Sequence, residues 1–181
     1  QYALSVQENI YSAISNNRRE DYERAVDAFV NSRNKYVYGS RANFGLASNT
    51  YFLMKCMLEN VYFANNPAAS PFDNLADISD RDCILLFSFP RYSSTCEYAA
   101  DMASKAGATV ITITDRRSAP VAAYASIAFT VDVSSPFFFN SFVGVQHVLE
   151  TLCAGVSRRI KGANAEKLKN IDKYLDILKL Y

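Results

Sequence analysis

The sequence is poor in the residues from which metal sites are built. It contains a single histidine, His147, and four cysteines without a Cys-x-x-Cys pair. The cysteines are far apart inside apolar segments, at Cys56, Cys83, Cys96 and Cys153. A zinc site with the usual ligand spacing is therefore not expected. The cysteines instead indicate reduced core thiols, as is typical of a cytoplasmic protein.

An excess of one charge and long apolar runs are also missing. With 19 Lys and Arg against 18 Asp and Glu, the formal net charge is only +1, so no overall field attracts nucleic acid or acidic membranes. The longest apolar stretches, such as 136–139 and 143–145, are far shorter than the roughly 20 residues of a membrane span. We therefore expect no membrane partner and no DNA contact from this segment.

The chain does contain enough apolar residues for one folded domain. Its 181 residues are 50% hydrophobic and 20% charged, with only 6 Gly and 5 Pro, which excludes disordered and collagen-like classes. The length suits a single soluble domain that spans 1–181. The chain begins Gln1-Tyr2-Ala3 without an initiator Met or a leader, and we interpret it as a fragment of a longer protein.

Apolar and β-branched runs alternate with helical stripes along most of the chain. Strands are predicted at 35–38, 60–64, 83–87, 109–113 and 127–131. Helices are predicted around 6–14, 22–29, 46–57, 99–106, 120–125, 142–160 and 163–181. Ser118 is the expected cap of the 120–125 helix, and the stretch from Pro67 to Pro71 is expected to be irregular.

This alternation predicts an α/β fold with three layers, in which helices cover both faces of a five-stranded parallel sheet. The flavodoxin-like strand order 2-1-3-4-5 suits five strands, and the apolar run at 83–87 is expected to be the central strand. Strands one and three are then neighbours whose connections leave in opposite directions. Because ligands bind at such a switch point, the loops at 39–43 and 88–95 are the candidate site.

The first of these loops, 39–43, is named here the Ser40 loop. It opens a predicted helix, where free backbone N–H groups and the helix dipole favour an anion. Its predicted ligand contacts are Ser40, Arg41 and Asn43. The loop lacks the glycine patterns of nucleoside triphosphate and dinucleotide sites. An ordinary helix cap is the alternative interpretation.

The second loop, 88–95, is named here the Arg91 loop and also leads into a predicted helix. Its hydroxyl groups and single arginine suit a phosphate or carboxylate that is bound through charge-assisted hydrogen bonds. The predicted ligand contacts are Ser88, Arg91, Tyr92, Ser93 and Thr95. We expect Arg91 to be the main charged contact. The alternative is a solvated turn with a serine cap and a surface arginine.

Both loops resemble motifs of a known family. Tyr38-Gly39-Ser40-Arg41-Ala42-Asn43-Phe44-Gly45-Leu46-Ala47 is similar to the phosphate motif of sugar isomerase (SIS) domains, and residues 88–97 resemble their Ser-x-Ser-Gly-x-Thr-x-Glu motif. The Ser-Phe-Pro-Arg-Tyr-Ser run at 88–93 resembles more closely the ligand-sensing domain of RpiR-type transcriptional regulators. Asn43 occupies the place of the usual phosphate-binding serine, and Arg91 is an insertion in a loop without glycine.

The resemblance implies an effector-binding domain that dimerises and recognises a sugar phosphate or a related sugar acid. It further implies that occupancy is relayed to an N-terminal helix-turn-helix domain, which is absent from this chain and would make the only contact with DNA. No cofactor is expected. The two opening helices and the predicted helix at 163–181 carry more apolar surface than the sheet can cover, so we predict a homodimer and leave a tetramer open.

Two other functions remain open. A sugar-phosphate aldose–ketose isomerase would need a carboxylate base and often a histidine, for which Glu97 and His147 are the candidates, although His147 suits a structural role on an apolar helix. A dimerisation module with a vestigial pocket is the other alternative. The phenylalanines at 137–139, with Phe142, line either a ligand mouth or a subunit interface, or pack under the last strand.

Overall fold

A computed structural model describes residues 2–65 and 70–162, together with 169, 172, 173, 176 and 177. Among these residues, no helix is long and apolar enough to cross a membrane. The predicted helix at 163–181 and part of the Pro67–Pro71 stretch lie largely outside the described residues. The rest of the predicted order of elements can be compared directly.

A five-stranded sheet in the order β2-β1-β3-β4-β5 forms the centre of the molecule, and all its strands pair in parallel. This confirms the predicted fold class and strand order. The strands are β1 (Lys35–Gly39), β2 (Val61–Phe63), β3 (Cys83–Ser88), β4 (Thr109–Thr114) and β5 (Ile127–Thr130). Their positions follow the apolar runs of the sequence to within three residues at either end.

Helices cover both faces of this sheet. They are α1 (Tyr2–Ser15), α2 (Arg19–Asn31), α3 (Phe44–Met57), α4 (Pro71–Asn74), α5 (Ser94–Lys105) and α6 (Val143–Ile160), with 3-10 helices at Arg41–Asn43 and Pro120–Tyr124. The core on one face includes buried residues of α1, α2, α3 and α6. The core on the other face includes those of α5 and the second 3-10 helix.

The central strand β3 is buried along its whole length. Its side chains alternate between the two cores, with Leu85 and Phe87 in one and Ile84 and Leu86 in the other. A strand that is buried on both faces has no polar positions to display, which explains its continuous apolar run. Because β3 is held in the core on both faces, its pairing register sets the positions of β1 and β4.

One local prediction is wrong. Ser118 does not cap the helix near 120: Ala119 occupies the position before the 3-10 helix, and no side chain caps it. Ser118 lies one residue too early, because a capping side chain comes from the residue directly before the first helical one. Of the stretch that was expected to be irregular, only Ser70 and Pro71 are described. Ser70 has no regular structure and caps the short helix α4, which begins at Pro71, through a capping box with Asp73.

Asp82 organises the amino edge of the sheet, just before β3. Its buried carboxylate accepts hydrogen bonds from Arg33 Nε (3.0 Å) and Nη2 (2.7 Å) and from the Asn34 N–H (3.0 Å). It also accepts from the N–H (2.8 Å) and hydroxyl (3.0 Å) of Ser79. Burial acts to raise the Asp82 pKa, but the bonds from Arg33, Ser79 and Asn34 outweigh it and leave the pKa below its usual value.

We expect Asp82→Ala to reduce the free energy of unfolding by about 3 kcal/mol at neutral pH, because its partners then lose a buried charged acceptor. Since the folded pKa is lowered, this stabilisation exists above the unfolded pKa of about 3.9 and is lost as the pH falls through the folded value. Urea denaturation at several pH values measures it. The exposed neighbour Asp80 is the control: a loss in Asp80→Ala as large as in Asp82→Ala would contradict the assigned role.

Candidate functional site

The Ser40 loop and the Arg91 loop meet at the carboxyl edge of the sheet. Gly39 at the end of β1 is in register with Phe87 near the end of β3. The loops that follow these two strands therefore begin at the same level of the sheet. The side-chain amide of Asn43 donates to the Phe87 carbonyl oxygen at 3.2 Å. This bond ties the Ser40 loop to the end of β3, where the Arg91 loop begins.

Gly39 has no room for a side chain. A Cβ there would lie 2.7 Å from the Asn43 carbonyl oxygen and 3.2 Å from the Ala47 Cβ. Its N–H and carbonyl both bond to the side chain of Asn65, at 3.0 and 2.9 Å. The close approach of the 3-10 helix to β1 therefore requires glycine at this position.

A chain of hydroxyl groups runs from the sheet into the Arg91 loop. The Tyr38 hydroxyl donates to Thr95 Oγ1 at 3.0 Å, and the hydroxyls of Thr95 and Ser93 are 2.6 Å apart. Burial raises the pKa of Tyr38, which the nearby hydroxyls of Thr95 and Ser40 only partly offset, so the phenol remains a donor. With Tyr38 donating to Thr95, Thr95 can donate to Ser93, and the Ser93 proton stays available for a ligand.

Both loop arginines have a left-handed backbone. The φ angle is 56° at Arg41 and 70° at Arg91, a region that residues other than glycine seldom adopt. Both residues are exposed, and the Arg91 guanidinium lies over the Phe138 ring, 4.8 Å from its centroid. The guanidinium groups are thus held at the surface of the loops and take no part in the core.

These residues line a cavity of about 170 Å³, named here the arginine cavity. Its lining comprises Ser40, Arg41, Ala42, Asn43, Phe89, Pro90, Arg91, Ser93, Phe139, Asn140 and Phe142. The Ser40 Oγ is shielded from solvent and makes no hydrogen bond of good geometry with the described residues, although it lies near the Tyr38 phenol. Two cations, free hydroxyl donors and no carboxylate in the lining suit an anion.

Five of the eight predicted ligand contacts line this cavity: Ser40, Arg41, Asn43, Arg91 and Ser93. The other three do not. Ser88 is buried at the end of β3, and Thr95 lies behind Ser93. The Tyr92 hydroxyl donates to Asp115 Oδ1 at 2.7 Å; burial and this carboxylate raise the pKa of Tyr92 to about 12.

The sequence analysis missed part of the cavity wall. Phe89 and Asn140 line it, as do Phe139 and Phe142, which were considered for a ligand mouth. Phe142 packs against Phe89 with ring centroids 5.4 Å apart, whereas the phenylalanines at 137–139 are exposed rather than packed in the core. The signal available in the sequence was the run of aromatic residues just after the last strand.

Neither of the two candidate catalytic residues lines the arginine cavity. Glu97 lies in the first turn of α5, directly after the Arg91 loop, and its N–H donates to the Ser93 carbonyl oxygen. His147 borders a groove between α1, α2 and α6. Among residues 2–65 and 70–162, no group of three or more His, Cys, Asp and Glu side chains could hold a metal ion. All four cysteines are free. The described lining thus brings cations and hydroxyls to the cavity.

Comparison with known proteins gives one family and several structures. The family profile described as SIS domain matches residues 28–153, well over half of the chain. No significant match to a curated protein was found. The sugar isomerase domain of an RpiR transcription factor from Sphaerobacter thermophilus is 20% identical, with a TM-score of 0.89 and 96% and 97% of the two chains covered.

Two further structures illustrate the range of proteins with this fold. The Vibrio vulnificus NanR protein complexed with ManNAc-6P is 12% identical, with a TM-score of 0.83, and the match covers 98% of this chain and 68% of that one. A Methanococcus jannaschii protein with an inferred 3-hexulose-6-phosphate isomerase function is 14% identical, with a TM-score of 0.67 and 90% of each chain covered. These similarities concern the fold.

We expect Gly39→Ala to reduce stability by about 1–3 kcal/mol, because the new methyl group pushes against the Asn43 backbone. The displaced Ser40 loop should also bind inorganic phosphate more weakly. Thermal unfolding with and without phosphate measures both effects. Gly45→Ala is the matched control: a Cβ there meets nothing within 4 Å, so stability should rise by up to about 1 kcal/mol. Equal effects of the two changes would contradict the packing argument.

Proposed function

Because the chain belongs to the SIS domain family, we propose that it is the effector-binding domain of an RpiR-type transcriptional regulator. Its effector is a sugar phosphate or a related sugar acid, which binds in the arginine cavity in the cytoplasm. An upstream helix-turn-helix domain would then receive the signal and contact DNA.

The observation that carries this proposal is the composition of the arginine cavity. Arg41 and Arg91 bring two positive charges to a lining without a carboxylate, and Ser40 has a buried hydroxyl without a well-formed bond. A guanidinium can hold a phosphate or carboxylate through two parallel hydrogen bonds. Asn43 and Ser93 add neutral donors. Thr95 supports Ser93 from behind the lining through the contact of their hydroxyls at 2.6 Å. Ser88 and Tyr92, also expected as ligand contacts, are not part of the lining.

Structural neighbours support both a regulator and an isomerase, because RpiR and NanR share this fold with an inferred isomerase. The regulator is supported by His147, which borders a different groove, and by the absence of Glu97 from the described lining of the cavity. The test incubates the protein with a panel of aldose phosphates, ketose phosphates and sugar acids. A rise in melting temperature without conversion in NMR spectra supports the regulator. Turnover supports the isomerase, and no shift with any phosphate or sugar acid contradicts both.

We expect Arg91→Ala and Arg91→Lys both to weaken phosphate-ligand binding at least tenfold, because a bidentate charged pair is lost. The melting temperature without ligand should hardly change, since the exposed side chain contributes only its contact with Phe138, about 1 kcal/mol at most. Arg91→Gly also removes the guanidinium but relieves the left-handed backbone, so it should bind equally weakly and be at least as stable.

Arg117→Ala is the control for charge. Arg117 is exposed in the loop after β4 and does not line the arginine cavity. The substitution removes the same charge from the same edge of the sheet, so affinity should fall less than twofold. If Arg91→Ala binds as tightly as the parent while its unliganded stability falls, Arg91 has a structural role instead.

We also propose that the protein is a homodimer, with α1 at the interface. Leu4, Tyr11 and Ile14 share one face of α1 and are 64%, 60% and 53% exposed, which is typical of an apolar surface that a partner covers. Sedimentation at micromolar concentration should give a dimer. Ile14→Glu should convert it to a monomer with the same secondary structure. A parent protein that sediments as a monomer contradicts this proposal.

A further inference from the structure

Tyr92 follows Arg91 directly in the chain, but its side chain does not line the arginine cavity. Its hydroxyl donates to Asp115 Oδ1 at 2.7 Å, and Asp115 is the first residue after β4, the strand that pairs with β3. Among the described residues, no other side-chain hydrogen bond holds residues 89–92. This bond therefore ties the middle of the Arg91 loop to the end of the neighbouring strand.

Asp115 is itself held in place at the end of β4. The Thr114 hydroxyl donates to the same carboxylate oxygen at 3.3 Å, and Arg116 Nε lies 3.9 Å from Asp115 Oδ2. The Arg116 guanidinium also lies over the Tyr92 ring, 5.6 Å from its centroid, so Arg116 contacts both partners of the bond. The Asp115 side chain is only 14% exposed. A hydrogen bond to a carboxylate that is largely shielded from water is among the stronger ones.

The backbone at Arg91 needs support from its neighbours. Its φ angle is 70°, a left-handed conformation that residues other than glycine keep only where the surrounding structure holds it. Residues 89–93 connect β3 to α5 without regular structure. The Arg91 guanidinium lies over the Phe138 ring and makes no hydrogen bond or ion pair with the described residues. The bond of Tyr92, one residue further along the chain, supplies the missing constraint.

We propose that Tyr92 and Asp115 are positioning residues of the anion site, and that their bond keeps the Arg91 loop in the conformation in which Arg91 lines the arginine cavity. Neither Tyr92 nor Asp115 lines that cavity, so they act through Arg91 and do not touch the anion there. This inference rests on the proposed function, which takes the arginine cavity as the anion site. A loop that is already held loses less freedom when the anion binds, and affinity rises accordingly.

Tyr92→Phe removes the hydroxyl and leaves the ring, the net charge and the cavity lining unchanged. Titration with inorganic phosphate, followed by phosphorus NMR, should give an affinity about fivefold lower than that of the parent, because the anion must then order the loop. Tyr98→Phe is the matched control: it removes a hydroxyl from a side chain of α5 that is 62% exposed, and affinity should change by less than about twofold. Parental affinity in Tyr92→Phe would overturn the inference and leave the anion site intact.

Asp115→Ala separates positioning from a charge effect, because the two predict changes of opposite sign. If Asp115 acted only through its charge, its removal would relieve a repulsion and tighten phosphate binding. We expect binding about fivefold weaker instead, as in Tyr92→Phe. The double variant should bind no more weakly than either single variant, since both changes remove the same bond. Tighter binding by Asp115→Ala would overturn the inference.

The dependence on Arg91 separates positioning from a general loss of structure. If Tyr92 acts through Arg91, Tyr92→Phe should change phosphate affinity by less than about twofold in an Arg91→Ala protein. An equal loss in both backgrounds would overturn the inference. Melting temperatures without ligand show that each variant is folded during the titration. Where the parent binds no inorganic phosphate, the sugar phosphate that raises its melting temperature most replaces it. If none does, or if Arg91→Ala binds like the parent, the proposed function fails and this inference fails with it.

Discussion

The parallel pairing of β3 with a neighbour on each side is the constraint on which the site depends. Gly39 lies opposite Phe87, and Phe87 lies opposite Ile113, so β1, β3 and β4 end at one level. A slip of one residue would turn every side chain of β3 into the core on the other face, where it would not fit the close packing. Because both faces of β3 are buried, such a slip is strongly disfavoured. The site geometry is therefore set by the core.

The fold could be predicted because the order of apolar runs and helical stripes in the sequence indicates both which strands are buried and how they are connected. Continuous apolar runs such as the one in β3 indicate strands covered on both faces, and strands that alternate with helices allow few topologies. The error concerns local bonding. Ser118 is a good capping residue, but the helix begins after it with Pro120. Ser70 instead caps α4, since which serine meets a helix end depends on one or two backbone angles.

The candidate site was only partly predictable, because a loop sequence does not tell where its side chains point. Ser40, Arg91 and Ser93, which the motifs singled out, line one cavity, and their role in binding stays a prediction. Tyr92 instead finds Asp115, a partner 23 residues away in the chain. Asn140 comes from a segment without regular structure after β5, and no motif marked it. Such contacts are decided by tertiary packing.

The left-handed backbone of the two arginines fits the proposed binding role. A left-handed conformation costs a residue other than glycine about 1–2 kcal/mol, and it occurs at both Arg41 and Arg91. Their side chains are exposed and add nothing to the core, so glycine would give the unliganded protein more stability at either place. Two like charges beside one cavity also repel each other. An anion offsets that repulsion, and a guanidinium already held by strained backbone loses less freedom on binding it.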